Sequence, residues 1–436
     1  MKRREFLRKT VTAAAAGISF PYVVPSRVLA AAGRRGANDR FKVGFIGCGG
    51  RAGQLMTTEK LADHADIVAV ADCFLPRVDE RAKAVPGGDK WNKYQDYRKM
   101  LEKEKLDAVF VPTTTHARVL ACIEAMQAGC DVYAEKPFAL TIAEGRSLVK
   151  AVAKYKKVLQ VGTQQRTIPI NAWASKLVRE GGIGKVREVL APNFIGPQRW
   201  KPLPAEEMPE GLDWDLWCNQ TELRPYRKEL QFGWANWWDY DGGGKSWGVT
   251  GWGTHAFDQV QCALGTDDTG PVEIWPEGAD AEGNVGVLMR YADGTLLRAD
   301  QPLRRKDDKG RPALWDLGAI FVGSRATLEI RRGSLVCDQP ELIKDAPPGY
   351  PEASPGEVVW HIRDFFDCCR TRKQPAAHVE AAQRATTICY LVNICRDVGR
   401  KLKWDPKAER FIGDDEANRM LSRPRRQGYE LPKEFA

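Results

Sequence analysis

Residues 42–53 read Lys-Val-Gly-Phe-Ile-Gly-Cys-Gly-Gly-Arg-Ala-Gly, an apolar strand that leads directly into a glycine-rich turn. In this G-x-G-x-x-A pattern Gly47 permits a tight turn, Gly49 lets the backbone approach a pyrophosphate, and Ala52 stands where a third glycine often does. The helix that follows would direct its positive N-terminal end at the phosphates. The pattern predicts a dinucleotide-binding unit, with an ordinary strand–helix connection as the alternative.

A second apolar strand, Ile67–Ala71, ends at Asp72. This is near the spacing expected for the acid that accepts the ribose hydroxyls of a dinucleotide. A carboxylate there would also repel the 2′-phosphate of NADP, so NAD is the predicted cofactor. The predicted cofactor-binding residues of this region are Gly47, Cys48, Gly49, Gly50, Arg51 and Asp72.

Residues 1–32 have the three parts of an export signal in the right order. A basic start, Lys2–Lys9, precedes an alanine-rich apolar run and small residues at Val28-Leu29-Ala30. Arg3-Arg4 with Phe6-Leu7 close behind resembles the twin-arginine signal. We therefore expect a periplasmic or otherwise exported protein that uses the twin-arginine machinery; a basic amphipathic or disordered N-terminus is the alternative.

The predicted signal also explains much of the positive charge. Residues 1–30 hold six basic side chains and one acid, so their removal lowers the formal net charge from +9 to +4, which gives no reason to expect nucleic-acid binding. The eleven cysteines have neither CxxC pairs nor zinc spacing, so we expect buried thiols and no metal site. No later stretch reaches the ~18 apolar residues of a membrane helix, so no stable membrane insertion is expected.

The roughly 400 residues after the signal predict two domains and an α/β fold class. Residues 40–165 alternate apolar strands with helical stretches, which is typical of the parallel sheet of a Rossmann domain. Residues 166–405 predict a C-terminal α+β domain on a largely antiparallel open sheet, with helices that pack back on the Rossmann domain. A C-terminal tail follows at 406–436.

Apolar runs place the individual elements. The predicted strands of the first domain are Lys42–Ile46, Ile67–Ala71, Ala108–Val111, Asp131–Ala134 and Val158–Val161, and its helices include Ala117–Ala128 and Ile142–Tyr155. The predicted strands of the second domain are Val186–Phe194, Val285–Tyr291, Leu296–Ala299, Ala319–Val322 and Ala326–Ile330, with helices at Val358–Arg370 and Val379–Lys401. Asp293-Gly294 and Gly323-Ser324 are predicted hairpin turns.

Two predicted strands of the first domain end in polar residues. Glu135-Lys136-Pro137 follows one of them, at the sheet edge where open parallel sheets bind their ligands, so Lys136 is a candidate to hold a substrate hydroxyl. Thr113 and Thr114 follow the preceding strand and could pack along the ribose and nicotinamide. His116 follows these threonines. It could contact the cofactor, or it could simply occupy the N-terminus of a helix, and the two interpretations are equally good.

His255 lies in Gly251-Trp252-Gly253-Thr254-His255, which enters an apolar helix. Neutral imidazole is the natural general base for an alcohol near pH 7. A core histidine that donates to a backbone carbonyl is an equal alternative.

Taken together, these motifs resemble the Gfo/Idh/MocA oxidoreductases, the family of glucose–fructose oxidoreductase and inositol dehydrogenase. The matching stretches are Gly47–Arg51, Asp72, Pro112–His116, Glu135-Lys136-Pro137, Val161–Arg166 and Trp252–Asp258. The resemblance implies bound NAD(P), a sugar or polyol substrate, and an open sheet that often mediates homo-oligomers. It gives Lys136 and His255 the catalytic roles and adds Glu135, Lys136 and Gln164 to the predicted cofactor contacts.

One departure from the family pattern concerns the substrate side. Many members carry Asp four residues before the histidine, where this chain has Gly251; Asp239, Asp241 or Asp258 could replace it. The segment Leu212–Trp252 is loop-like and rich in tryptophan, so we expect it to line a cleft for a sugar. The predicted substrate residues are Arg166, Trp238, Asp239, Trp252 and Asp258.

The leading hypothesis is an exported NAD-dependent oxidoreductase that acts on a carbohydrate. An NAD-dependent glycosidase that oxidises the sugar transiently is the first alternative, and an oxidoreductase that passes hydride between two sugars is related to it. A non-catalytic carbohydrate-binding protein is the third. Export favours a chain that keeps its NAD, since free NAD is not expected outside the cytoplasm.

Overall fold

The computed structural model describes residues 40–57, 61–244, 248–281, 283–303, 317–350 and 359–435. The predicted export signal at residues 1–32 lies outside these ranges, as do Trp247 and Val358. Across the described ranges, no helix combines the length and the apolar character needed to cross a membrane.

The first sheet has six parallel strands. They are β1 Phe41–Ile46, β2 Ala65–Ala71, β3 Asn92–Tyr94, β4 Ala108–Val111, β5 Asp131–Ala134 and β6 Leu159–Val161, in the order β3-β2-β1-β4-β5-β6. Both β4 and β5 are buried along their whole length, as expected of strands that helices cover on both faces. This is the predicted Rossmann sheet with one added strand, since the polar, exposed edge strand β3 has no apolar signal.

Five helices belong to this sheet: α1 Gly50–Thr57, α2 Leu75–Ala84, α3 Tyr97–Lys103, α4 Arg118–Gln127 and α5 Ile142–Tyr155. The prediction for α5 is confirmed residue by residue. Its start is fixed by Thr141, whose Oγ1 accepts a hydrogen bond from the Glu144 N–H at 3.2 Å.

The second sheet has nine strands. They are β7 Val186–Pro192, β8 Glu273–Ala279, β9 Val285–Arg290, β10 Leu296–Gln301, β11 Ala319–Gly323, β12 Thr327–Arg331, β13 Ser334–Cys337, β14 Leu402–Asp405 and β15 Arg410–Phe411. Their order is β13-β12-β11-β7-β10-β9-β8-β14-β15; β7 and β10 pair in parallel, and the other pairs are antiparallel. The predicted, largely antiparallel sheet and both hairpin turns are confirmed, whereas β8, β13, β14 and β15 are additions.

The remaining helices are α6 Pro169–Arg179, α7 Trp214–Cys218, α8 Lys228–Gly233, α9 Trp252–Leu264, α10 Val359–Thr371, α11 Val379–Val398 and α12 Asp415–Arg419. Two of them return to the first sheet, as predicted. In α10, Phe365 packs edge-on against Phe110 of β4, with ring centroids 5.6 Å apart. In α11, Val379 and Ala382 belong to the core of the Rossmann domain, while residues 388–395 lie in the core of the second domain.

The tail after residue 406 also packs on the Rossmann domain. Tyr429 and Phe435 are buried in its core, and the Ser147 hydroxyl in α5 donates to the Phe435 carbonyl at 2.6 Å. All eleven cysteines are free thiols, as predicted, and nine of them are buried.

Candidate active site

The turn after β1 has the geometry of a pyrophosphate cradle. Gly47 has φ +99°, and a Cβ at this position would lie 3.3 Å from the backbone of Thr113. The Gly47 N–H donates to the Ala71 carbonyl at 2.7 Å, which ties the turn to the end of β2. At Gly49 and Gly50, where α1 begins, no atom lies within 4 Å of a Cβ position. A ligand can therefore approach this backbone closely.

A cavity of about 410 Å³ lies in front of this turn. The Rossmann domain supplies one wall: the glycine turn, the end of β2 with Asp72, and the end of β4 with Thr113 and Thr114. The Thr113 hydroxyl is buried without a hydrogen-bond partner. A buried polar atom of this kind is normally paired in a folded protein, so the cavity fits a ligand with polar groups, such as a dinucleotide.

Asp72 organises the turn as well as lining the cavity. Its carboxylate accepts hydrogen bonds from the N–H groups of Cys48 at 2.8 Å and Phe74 at 2.9 Å, and Arg77 lies 3.4 Å away. Arg81 holds the other side of the turn, where its guanidinium donates to the carbonyls of residues 48 and 49. Burial raises the pKa of the Cys48 thiol, so this side chain stays neutral beside the carboxylate.

The end of β5 carries Glu135 and Lys136 toward the second domain. Glu135 accepts a hydrogen bond from the Nε of Arg51 at 2.7 Å, which joins the glycine-turn helix to this strand end. A Cβ at Gly162 would lie 2.6 Å from the same carboxylate, so only glycine fits there. The Nζ of Lys136 donates to the Gly251 carbonyl at 3.1 Å. Gly251, where the family resemblance led us to expect an aspartate, thus meets the lysine through its backbone.

His255 lies on the first turn of α9 and is 4% exposed. Burial lowers its pKa well below 6.5, and the charge of Lys136 acts in the same direction. Lys136 binds the carbonyl of Gly251, one helical turn before His255, so the two predicted catalytic residues meet at the start of α9. Burial likewise lowers the pKa of Lys136, while the carboxylates of Glu135 and Asp241 act in the opposite direction. The Nδ1 of His255 is buried without a hydrogen-bond partner. The imidazole of His255 is therefore neutral near pH 7 and has a nitrogen available for a ligand.

Of the three acids that could replace the missing aspartate, Asp241 is the one beside Lys136. It is fully buried and accepts hydrogen bonds from the hydroxyls of Thr115, at 2.8 Å, and Thr250. Burial raises its pKa. Asp239 instead pairs with Arg224 at 2.7 Å near the surface.

Asp258 belongs to a separate ion-pair cluster. Arg166 binds it through Nε at 2.8 and 2.9 Å and binds Asp267 through both terminal nitrogens at 2.9 and 2.7 Å. Burial raises the pKa of Asp258 to about 6, and the charge of Arg166 opposes this rise. The guanidinium of Arg166 is therefore engaged within the protein, while the predicted contacts of Arg166 and Asp258 with a substrate stay predictions.

Other predicted residues also have protein partners. His116 is fully buried, its Nε2 lies 2.8 Å from the Trp217 carbonyl, and burial lowers its pKa to about 4. Trp238 lies between two guanidinium groups, those of Arg199 at 4.4 Å and Arg423 at 4.8 Å from its ring centroid. These contacts favour the packing interpretation of His116 and give Trp238 a role in packing.

Two further predicted residues lie at element boundaries. Gln164 is 2% exposed in the short 3-10 turn after β6. Trp252 begins α9 and is half-buried against the core of the second domain. Neither lines the cavity described above.

Most of the described part of the tryptophan-rich segment is irregular, as predicted, with the short helices α7 and α8 within it. Trp214 and Trp217 stack at 4.3 Å, and Trp217 and Trp234 line the cavity beside the glycine turn. This segment thus lines the predicted dinucleotide cavity, whereas its composition had predicted a cleft that binds a sugar. The cavity residues outside every predicted motif and segment are Cys73, Arg77, Gln95 and Tyr97, and those of the predicted cleft segment that were not singled out are Leu216, Asn219, Gln231 and Phe232. They carry no local motif.

Two family models match the chain. The model described as "Oxidoreductase family, NAD-binding Rossmann fold" matches residues 41–163. The model described as "Oxidoreductase family, C-terminal alpha/beta domain" matches residues 193–431. The predicted fold and the NAD-binding character of the first domain are thereby confirmed.

Individual relatives match smaller parts of the chain. D-apiose dehydrogenase from Paraburkholderia graminis is 33% identical over 145 residues, which cover 33% of this chain and 38% of that protein. The scyllo-inositol 2-dehydrogenase (NAD(+)) of Bacillus subtilis is 32% identical over 123 residues, or 28% of this chain and 34% of that protein. The chain thus matches little more than a third of the length of these relatives.

A solved structure extends the similarity in fold. The WlbA dehydrogenase from Bordetella pertussis, in complex with NADH and UDP-GlcNAcA, superimposes with a TM-score of 0.58 at 16% sequence identity. The match covers 84% of this chain and 99% of that chain. Both domains therefore share their architecture with a dehydrogenase.

Proposed function

Because the chain belongs to the Gfo/Idh/MocA oxidoreductase family, we propose that it oxidises a hydroxyl group of a sugar or polyol with NAD. The observation that carries this proposal is the bond from the Lys136 Nζ to the Gly251 carbonyl, because Gly251 precedes α9 and lies one helical turn before His255. Lys136 follows β5, a strand of the same sheet as the glycine turn. The names of the relatives, D-apiose dehydrogenase and scyllo-inositol 2-dehydrogenase, support the substrate class.

The residues around the cavity fit the cofactor. The backbone of the glycine turn would hold the pyrophosphate, Asp72 would meet the ribose, and Thr113 offers an unpaired hydroxyl. When bound, NAD supplies the hydride acceptor. Because Arg51 and Glu135 connect the turn to the lysine, the cofactor site and the catalytic pair are held in one framework.

The catalytic pair divides the acid–base work. Lys136 is held by the Gly251 carbonyl and two nearby carboxylates, so its ammonium group is fixed where it can bind and polarise a substrate oxygen. His255 is neutral at pH 7 because burial lowers its pKa, and its Nδ1 has no protein partner, so the imidazole is free to take the hydroxyl proton. Asp241 would act as a positioning residue for Lys136.

A direct test measures NADH formation by the purified protein across a panel of sugars and polyols. We expect at least one aldose, pentose or inositol to reduce NAD, and no reduction without the carbohydrate. Release of an aglycone from a glycoside without net NADH would point to hydrolysis instead. Binding of sugars by a protein that takes up neither NAD nor NADP would contradict the proposal.

We expect kcat/KM to depend on pH with two limbs. On the acid side activity falls as His255 gains a proton, and the midpoint of this limb should lie below pH 6.5. On the alkaline side activity falls as Lys136 loses its proton, and the midpoint of that limb should lie below pH 10.5. Asp241→Asn removes a carboxylate that raises the pKa of Lys136, so the alkaline limb should move to lower pH. Asp239→Asn is the matched control and should leave it in place. A limb that stays fixed in Asp241→Asn would contradict the positioning role.

We also propose export through the twin-arginine signal at residues 1–32 and assembly into a homo-oligomer. The order of basic, apolar and small residues supports the first proposal, and the open nine-stranded sheet of the second domain supports the other. Cell fractionation of the full chain and of its Arg3→Lys/Arg4→Lys variant tests export, and light scattering tests assembly.

A further inference from the structure

A buried arginine connects the two strand ends that carry the predicted site residues. Arg118 is the first residue of α4 and is 2% exposed. Its guanidinium donates to the Thr113 carbonyl, just after β4, and to the Pro137 carbonyl, just after β5. Because a guanidinium presents several N–H donors in one plane, a single side chain can hold both carbonyls. The two strand ends are thereby bound to one rigid group.

Both carbonyls belong to segments with a part in the proposed function. Thr113 lines the dinucleotide cavity, and its hydroxyl is buried with no hydrogen-bond partner among the described residues. Pro137 follows Lys136, whose Nζ donates to the Gly251 carbonyl at 3.1 Å. Arg118 therefore joins the wall of the cofactor cavity to the turn that carries the predicted catalytic lysine.

Other elements hold the chain beyond this turn. The Ala139 carbonyl accepts a hydrogen bond from the Tyr390 hydroxyl of α11 at 3.0 Å. The Leu140 N–H donates to the carboxylate of Glu144 in α5, also at 3.0 Å. The carbonyl that directly follows Lys136 is instead held by Arg118. A change at Arg118 should therefore loosen the chain beside Lys136 while the later contacts persist.

Arg118 also places a permanent positive charge in the site. Within the described residues, both hydrogen bonds of its guanidinium go to neutral carbonyls. Burial lowers its pKa, while the charges of Glu135 and Asp241 act in the opposite direction. Cys122 and Tyr390, which also act on Arg118, stay neutral because burial raises the pKa of each. The positive charge of Arg118 is therefore balanced by carboxylates that it does not contact directly.

The charge of Arg118 acts on Lys136. Burial lowers the pKa of Lys136, Glu135 and Asp241 raise it, and Arg51 and Arg118 lower it. Loss of the Arg118 charge should therefore move the pKa of Lys136 in the direction opposite to loss of the Asp241 charge. Packing alone does not produce such a pair of opposite shifts.

We propose that Arg118 is a positioning residue for Lys136, which its guanidinium fixes relative to the end of β4 and so relative to the cofactor cavity. The inference rests on the proposed function, in which Lys136 binds the substrate oxygen. Hydride transfer requires substrate and cofactor to be held in one geometry, and a misplacement of about 1 Å costs on the order of 10²-fold in rate. Arg118 thus acts on kcat through Lys136 and without contact with the substrate.

The first test measures Lys136 without cofactor or substrate. Competitive labelling of the full chain with acetic anhydride, followed by mass spectrometry of the Lys136 peptide, gives the pKa of this amine. We expect Arg118→Met to raise that pKa and Arg118→Lys, which keeps the charge, to leave it nearly unchanged. Arg179→Met is the matched control and should match the wild type. It removes a guanidinium that donates to the Cys262 carbonyl at 2.7 Å, at the other end of α9.

The second test separates position from charge. With the best carbohydrate, kcat should fall about 10²-fold in Arg118→Met. Arg118→Lys keeps the charge but lacks the fork that bridges both carbonyls, so it should recover only part of this loss. Arg179→Met should keep the wild-type kcat. If Arg118→Met does not fold, Arg118→Gln, which keeps a donor without the charge, takes its place in both tests.

The outcomes distinguish this inference from the proposed function. An unchanged pKa of Lys136 in Arg118→Met, or a wild-type kcat in Arg118→Lys, would overturn the positioning role even if sugars reduce NAD. A raised pKa of Lys136 in a protein that reduces NAD with no sugar or polyol would support the link between Arg118 and Lys136 and refute the proposed function.

Discussion

Replacing Lys136 with methionine is expected to lower kcat about 10³-fold while NAD still binds. Methionine keeps most of the length and apolar volume of the side chain but has no ammonium group to polarise the substrate oxygen. His255→Asn should cause a loss of similar size because the general base is removed. Both values follow from steady-state rates of NADH formation, and NAD binding is measured separately by tryptophan quenching.

Lys176→Met is the control for Lys136→Met. Lys176 is exposed and pairs only loosely with Glu180, at 3.8 Å, so its replacement should leave kcat unchanged. Full activity in Lys136→Met would show that the lysine at the end of β5 takes no part in the reaction.

Replacing Arg166 with methionine is expected to lower the free energy of unfolding by about 3–5 kcal/mol. The side chains of Arg166 and Asp258 are 4% and 1% exposed, so the variant leaves a buried carboxylate without its countercharge. The pKa of Asp258 should then rise further above its value in the unfolded chain. A group with a raised folded-state pKa loses stability as pH rises, so the variant should be weaker at pH 8 than at pH 5. Urea denaturation at both pH values measures this.

Two companion variants complete this test. Arg298→Met removes a half-exposed pair with Asp300 and should cost less than about 1 kcal/mol. Arg166→Met/Asp258→Leu removes both buried charges and should recover part of the lost stability. A stable Arg166→Met protein with a strongly raised KM for the carbohydrate would instead support the substrate contact that the sequence suggested.

The elements predicted from sequence are those with a local pattern, such as an apolar run, a helix cap or the helical period. The strands β1, β4 and β5 are continuous apolar runs because helices cover them on both faces, and α5 carries both a cap and the helical period. Two strands were not predicted: β3, at the edge of the first sheet, because Asn92–Tyr94 is polar, and β8, between β9 and β14, because Glu273–Ala279 contains Pro276 and Gly278. Such residues normally mark turns, and only pairing with a neighbouring strand makes them part of a sheet.

The residues of the candidate site likewise fall into those that the sequence predicted and those that it did not. Asp72 and Lys136 were found because the ends of parallel strands meet at one sheet edge, which is a local rule. The partners of Arg166 and the position of Trp217 depend on segments about 100 residues away in the chain. No spacing rule brings such residues together. Residue type alone therefore suggested that Trp238 contacts a sugar. In the structure its ring contacts the guanidinium groups of two arginines.

In the C-terminal tail, Arg426 and Tyr429 hold Asp215 of the tryptophan-rich segment, which has a consequence for how the protein is made. The glycine turn near residue 47 leaves the ribosome hundreds of residues before these two side chains. During translation the first domain can therefore fold and meet a nucleotide before the tail holds the tryptophan-rich segment beside it. Completion of the tail then adds the bonds of Arg426 and Tyr429 to Asp215, so the surroundings of the glycine turn are assembled in two stages.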